Sequence, residues 1–154
     1  MIGKTENGIE GDQWHQPWQE ADQFCGIEGS GGWTGANLAI FPNPYYNYYM
    51  AAMARKSGFD VWIGALSTTQ DQTFHWRDNT RITYSNWAPG KPNGDFDSPK
   101  DCVRMRTMGS GSGPEKAGQW SDGDCLNQNA FMCSHKLDSS SKIYLEKKNN
   151  NFFQ

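Results

Sequence analysis

Aliphatic residues are scarce in this 154-residue sequence, and no apolar run approaches the ~20 residues needed to cross a bilayer. Aromatic residues are instead abundant, with seven Trp, eight Phe and six Tyr. Because so few Leu, Ile and Val residues are present, we expect a core built largely from aromatic side chains. Membrane insertion is not expected.

The chain also lacks a broad basic face. Its formal net charge is -3, which argues against non-specific binding to nucleic acid. A chain of this length is most simply one domain, and such a domain can bury roughly two-thirds of its unfolded surface. Seventeen Gly and seven Pro indicate many turns rather than long helices.

Catalytic motifs are missing as well. The sequence has no G-x-S-x-G elbow, no H-E-x-x-H pair and no phosphate-cradling Gly loop. A glycosidase needs a pair of carboxyl groups, one of which is kept protonated by apolar surroundings so that it can act as the acid. The Asp residues of this chain lie in polar loops, which do not provide such surroundings. We therefore do not expect an enzyme.

The four cysteines include no C-x-x-C pair and none of the short spacings typical of zinc ligands. An even count favours two disulfides and an oxidising compartment, with free or metal-bound thiols as the alternative. A secreted or cell-surface protein is expected, although the opening MIGKTENG has no apolar signal core.

Two helices are predicted in the first part of the chain. In QPWQEADQFC, Pro17 suits a first-turn position, and Trp18, Ala21 and Cys25 recur at helical spacing. In NPYYNYYMAAMARKSG, Asn43 can cap a helix that Gly58 ends. The predicted buried positions of this second helix are Tyr46, Tyr49, Met50, Met53 and Ala54.

The tyrosines Tyr45, Tyr46, Tyr48 and Tyr49 surround the second helix on more than one side, so part of the group must face solvent as a candidate interaction surface. From Asp60 onward, short aromatic or β-branched runs alternate with turn residues. This change of period predicts an antiparallel β region after the two helices.

The two ends of the chain differ in composition from the centre. Residues 1–13 are polar and irregular. Residues 137–154 form a Ser-rich stretch followed by a tail rich in Lys and Asn, which we predict to be disordered, or ordered only by a partner. The predicted domain therefore occupies residues 14–136.

Six short motifs follow one another in that region. Each is weak alone, but their order and distances are specific together. With them, residues 14–136 resemble a C-type lectin-like domain of the short form with two disulfides. The motifs are WQEADQFC, VWIGA, FHWRDNTRITYSNWAPGKPN, DCV, GQWSDGDC and FMC.

The resemblance implies an α+β fold in which two helices flank small antiparallel sheets, with a long irregular ligand-binding loop region. It also implies the disulfides Cys25–Cys133 and Cys102–Cys125. The first would tie the first helix to the last strand of the domain, and the second would brace the loops.

The family's main calcium site combines a Glu/Gln-Pro-Asn/Asp tripeptide, an acid just before the cysteine that is Cys102 here, and an Asn-Asp pair after a Trp. Sugar hydroxyls replace calcium-bound waters there. Asn93 and Asp122 match this pattern. Lys91 replaces the first oxygen ligand, Ser121 replaces the Asn, and Lys100 falls about where the acid is expected.

A lysine ammonium cannot coordinate a cation and repels one; two unit charges 4 Å apart cost about 4 kcal/mol at an effective dielectric of 20. Three arrangements follow. In one, loop acids refill a calcium site while both lysines turn to solvent. In another, Lys91 or Lys100 stands in for the ion beside Asp122 and Asp101. In the third, these loop charges are solvated separately. The candidate metal ligands are Asn93, Asp95, Asp97, Asp101 and Asp122.

The sequence thus predicts an extracellular recognition module that binds carbohydrate non-covalently through the long loop region. Its calcium dependence is weakened or absent, so no cofactor is required. The alternative is a calcium-independent protein-binding domain without sugar recognition; the partner is a glycan or a protein, and the oligomeric state is left open. The predicted ligand-binding residues are Lys91, Asn93, Asp95, Trp120, Ser121 and Asp122.

Overall fold

A computed structural model describes residues 15–27, 37–55, 58–69, 72–94, 101–107, 116–137 and 140–144. Two helices and eight strands lie in these ranges. None of the described helices is long and apolar enough to cross a membrane. Asp95, Asp97, Lys100, residues 1–13 and residues 145–154 lie outside the described ranges.

Helix α1 spans Trp18–Ile27 and begins directly after Pro17, as predicted. Its apolar residues Trp18, Ala21 and Cys25 are all buried, which confirms the face inferred from their spacing. The indole Nε1 of Trp18 donates to the carbonyl oxygen of Ile63 at 2.8 Å. This bond fastens the start of α1 to the central sheet.

Helix α2 spans Pro44–Ala54 and is capped by Asn43, whose side chain accepts from the next two free backbone N–H groups. Met50 and Ala54 are buried as predicted, but Tyr49 is 55% exposed and its predicted burial is wrong. Asn47 is buried instead.

Asn47 is buried because its amide is fully used inside the protein. Its Oδ1 accepts from the indole Nε1 of Trp120 at 2.7 Å, and its Nδ2 donates to the carbonyl oxygen of Gly118 at 3.0 Å. A buried amide with partners on both ends costs little to desolvate. These bonds fix which side of α2 faces the core.

The strands form two sheets. In the larger one the order is β3-β2-β4-β5, and β6 pairs in parallel with β2. The smaller sheet has the order β1-β7-β8. The strands are β1 Asn37–Leu38, β2 Val61–Ser67, β3 His75–Trp76, β4 Asp101–Met105, β5 Trp120–Asp124, β6 Ala130–Phe131, β7 Cys133–Leu137 and β8 Ser140–Tyr144.

The predicted disorder from residue 137 onward is wrong for part of the tail. Leu137 ends β7, and Ser140–Tyr144 form β8, which pairs antiparallel with β7. The Ser and Lys residues around it hid this strand, although Ile143 and Tyr144 are good β-formers, and pairing with β7 decides the conformation.

The main core is aromatic, as expected from the composition. Trp120 is fully buried at its centre. Its ring lies 5.7–6.0 Å, centroid to centroid, from four other aromatic rings, those of Phe41, Trp76, Tyr84 and Trp87. Burial in this cluster raises the pKa of the Tyr84 phenol.

Both disulfides have the pairing that the resemblance implies. Cys25–Cys133 joins α1 to β7, and Cys102–Cys125 joins β4 to the turn after β5. The backbone N–H of Trp18 donates to the carbonyl oxygen of Cys125 at 2.9 Å, so the second bridge also lies against the start of α1. The second bridge therefore cross-links the start of β4 to the turn that follows β5.

Candidate functional site

A loop after Trp87 runs along β5 and forms the candidate site. The backbone N–H of Ala88 donates to the carbonyl oxygen of Trp120 at 2.8 Å, and that of Lys91 donates to the carbonyl oxygen of Ala88 at 2.9 Å. The Lys91–Pro92 peptide bond is cis. The loop therefore turns back within a few residues and brings Asn93 against Asp122.

The carboxylate of Asp122 organises the loop. Its Oδ2 accepts from the backbone N–H of Gly94 at 2.6 Å and from that of Asn93 at 3.1 Å. The Asn93 N–H also lies 3.2 Å from Oδ1. The Asp122 side chain is 2% exposed, so both oxygens are directed into the protein.

The ammonium group of Lys91 lies between Asn93 and Asp122. Its Nζ donates to Asn93 Oδ1 at 2.6 Å and stands 3.6 Å from Asp122 Oδ1. The Lys91 side chain is 24% exposed, so most of it is covered by the protein and part of it remains in contact with solvent. A positive charge on the protein's own chain thus contacts both side chains that match the family's calcium ligands.

Gly94 contributes to this arrangement and was not singled out by the sequence. Its φ of 63° lies in the left-handed region that glycine adopts without strain. A Cβ at this position would lie 2.5 Å from Nε2 of Gln72. The Pro-Asn-Gly stretch was the available signal, because it is typical of a tight turn.

Three predicted ligand-binding residues are not at the surface. Trp120 and Ser121 are both 0% exposed and Asp122 is 5% exposed, which corrects the prediction that they contact a ligand. Trp120 belongs to the aromatic core, and the hydroxyl of Ser121 accepts from Nε of Arg104 at 3.1 Å. Lys91 and Asn93 retain surface exposure, and Asp95 lies outside the described residues.

The candidate metal ligands are only partly brought together. Asn93 and Asp122 are adjacent, but Asp101 begins β4 opposite Asp124, and Val103 is the residue opposite Asp122. Among the described residues, no three acidic, His or Cys side chains form a group that could hold a metal ion. Because Lys91 contacts both remaining oxygen ligands, the described residues do not fit a calcium ion.

The sequence profile described as "Lectin C-type domain" matches residues 15–135. "C-type mannose receptor 2" of Rattus norvegicus is 29% identical over 126 residues, which cover 80% of this chain and 8% of that protein. The chain therefore spans a small part of that relative's length.

Two solved structures share the fold. The "Mouse Scavenger Receptor C-type Lectin carbohydrate-recognition domain" aligns with a TM-score of 0.62 and 21% identity, covering 83% of this chain and 87% of that one. A structure described as "calcium-independent type II antifreeze protein" aligns with a TM-score of 0.59 and 22% identity, covering 84% of this chain and 80% of the other. With the family profile spanning both helices and the disulfide-braced loops, the chain belongs to the C-type lectin domain family.

Proposed function

We propose that this domain recognises carbohydrate non-covalently through the loop of residues 88–94, without calcium. The observation that carries the proposal is the position of the Lys91 ammonium, 2.6 Å from Asn93 Oδ1 and 3.6 Å from Asp122 Oδ1. In the family these two positions supply oxygen ligands to the ion. Here they bind a cation that is covalently part of the chain.

Charge explains why such a loop has no need of an ion. The Asp122 carboxylate is nearly buried and would be costly to enclose alone. Two backbone N–H groups and the Lys91 ammonium satisfy it. A calcium ion entering this position would meet the ammonium at close range, where repulsion between a single and a double positive charge exceeds the about 4 kcal/mol of two unit charges at 4 Å.

The exposed parts of the site suit a polar, neutral ligand. Asn93 is exposed and Lys91 is partly exposed, so amide and ammonium groups can meet the oxygens of a sugar. The mouse scavenger receptor domain, whose title names a carbohydrate-recognition domain, supports the ligand class. The antifreeze protein described as calcium-independent supports the proposal that this fold does not require the ion. The two disulfides support an oxidising, extracellular setting.

A glycan array tests the proposal. The labelled domain is applied in calcium buffer and again in chelator, and we expect the same glycans to bind with similar intensity in both. Asn93→Ala should reduce the signal without changing the thermal midpoint, because the Asn93 side chain is exposed. Gln19→Ala removes an exposed amide from α1 and should leave the signal unchanged. Binding that disappears in chelator would contradict the proposal.

A second candidate function is protein recognition through α2. Tyr45, Tyr48 and Tyr49 are 86%, 79% and 55% exposed, and the helix carries no charged residue. Exposed tyrosines are enriched where proteins meet. An array with no bound glycan in either buffer would favour this candidate over carbohydrate recognition.

A further inference from the structure

The hydrogen-bonding groups that the site turns outward differ from those of a metal site. A carboxylate and an amide oxygen that hold calcium also accept hydrogen bonds from sugar hydroxyls. Here the Asp122 carboxylate is 2% exposed and is occupied by the N–H groups of Asn93 and Gly94 and by the Lys91 ammonium. Asp122 can therefore accept little from a ligand.

The exposed side-chain groups are donors. A lysine ammonium has three N–H donors and no acceptor. Of the three in Lys91, one is directed to Asn93 Oδ1 and one faces Asp122, while the side chain keeps 24% of its surface exposed. Because Asn93 Oδ1 accepts from Lys91, the Asn93 Nδ2 is left to donate, and among the described residues it has no hydrogen-bond partner.

The charge around these donors is not positive overall. Lys91 is already paired with Asp122. The chain as a whole carries a formal charge of -3. A carboxylate or sulfate on the ligand would therefore meet a Lys91 charge that Asp122 already offsets, on a chain whose net charge is negative.

We infer that the site selects a neutral group that is a strong hydrogen-bond acceptor, the acetamido carbonyl of an N-acetylhexosamine. This inference rests on the proposed function. An amide carbonyl is a strong acceptor with two lone pairs and no charge. It can take one hydrogen bond from the Lys91 ammonium and one from the Asn93 amide. A sugar hydroxyl oxygen can also accept two hydrogen bonds, but it is a weaker acceptor than an amide carbonyl and must turn its own proton away from both donors.

Two trisaccharides that differ at one substituent test the inference. Cellotriose and chitotriose share their linkage and ring configuration, but chitotriose carries an acetamido group in place of each 2-hydroxyl. Both are titrated against the whole chain in chelator by calorimetry, together with a β-1,4-linked glucuronic acid trimer. We expect chitotriose to bind about tenfold more tightly than cellotriose, because a hydrogen bond from a charged donor is stronger than one between neutral groups. The uronate trimer should bind no better than cellotriose.

Asn93→Asp is the matched variant, because it keeps the oxygen that accepts from Lys91 and replaces the outward donor with an acceptor. It should abolish the preference for chitotriose over cellotriose while the thermal midpoint is maintained. If the substitution only distorted the loop, the affinities for chitotriose and cellotriose would fall together.

Equal affinity for chitotriose and cellotriose, tighter binding of the uronate trimer, or binding of neither neutral trimer would overturn the inference. In each case the proposed function stands if the array still shows calcium-independent glycan binding. An array with no glycan bound would overturn the proposed function itself.

Discussion

Replacing Cys25 and Cys133 together with alanine is expected to lower the free energy of unfolding by about 4–5 kcal/mol, since the bridge closes a loop of 108 residues. Replacing Cys102 and Cys125 is expected to cost less, about 3 kcal/mol, because that loop spans 23 residues. Chemical denaturation of both double variants and the wild type under non-reducing conditions measures the difference.

The two bridges should also differ in their effect on ligand binding. Cys102–Cys125 holds β4 against the turn after β5, within a few residues of Asp122, whereas Cys25–Cys133 joins α1 to β7. At a temperature where both variants are folded, glycan affinity should fall more in the variant without Cys102–Cys125, although that variant is the less destabilised of the two. A larger loss of affinity without Cys25–Cys133 would contradict the role assigned to Cys102–Cys125.

Asp122→Ala is expected to destabilise the domain by about 2–4 kcal/mol, because it removes a nearly buried carboxylate that accepts from two backbone N–H groups and pairs with Lys91. Lys91 is partly exposed and can turn to solvent, which limits the loss. Glycan binding should be lost together with the order of the loop.

Asp122→Asn separates the two contributions of that carboxylate. An amide oxygen can still accept from the N–H groups of Asn93 and Gly94, but the amide nitrogen would face the Lys91 ammonium. We expect a loss of about 1–2 kcal/mol, intermediate between the wild type and Asp122→Ala. Thermal and denaturant unfolding measure both variants. Wild-type stability in Asp122→Asn would show that the Lys91 ammonium adds nothing at this site.

Much of the fold followed from residues that begin and end the elements. Asn43 and Pro44 gave the start of α2, and Pro17 gave the start of α1. The buried face of α2 was less predictable. Asn47 is buried and Tyr49, two residues further along, is exposed, because the Asn47 amide accepts from the indole of Trp120, which is distant in sequence. A tertiary hydrogen bond outweighs hydrophobic spacing here.

The candidate site shows the same limit. The tripeptide pattern correctly brought Asn93 and Asp122 together. The Trp-Ser-Asp sequence suggested Trp120 and Ser121 as ligand contacts, and both are buried. Neighbours in a strand usually face opposite sides, but this part of β5 is covered on both. The direction of the Lys91 side chain depends on how the loop folds back, so sequence alone left three arrangements open.

Calcium independence is tested most directly by a pair of thermal unfolding curves of the whole chain, one in excess calcium and one in chelator. An ion present at about 100 times its dissociation constant would add about 2.7 kcal/mol, enough to raise the midpoint by several degrees. Because the Lys91 ammonium lies between Asn93 Oδ1 and Asp122 Oδ1, we predict that the two curves superimpose. A midpoint raised by calcium and restored by chelator would contradict it.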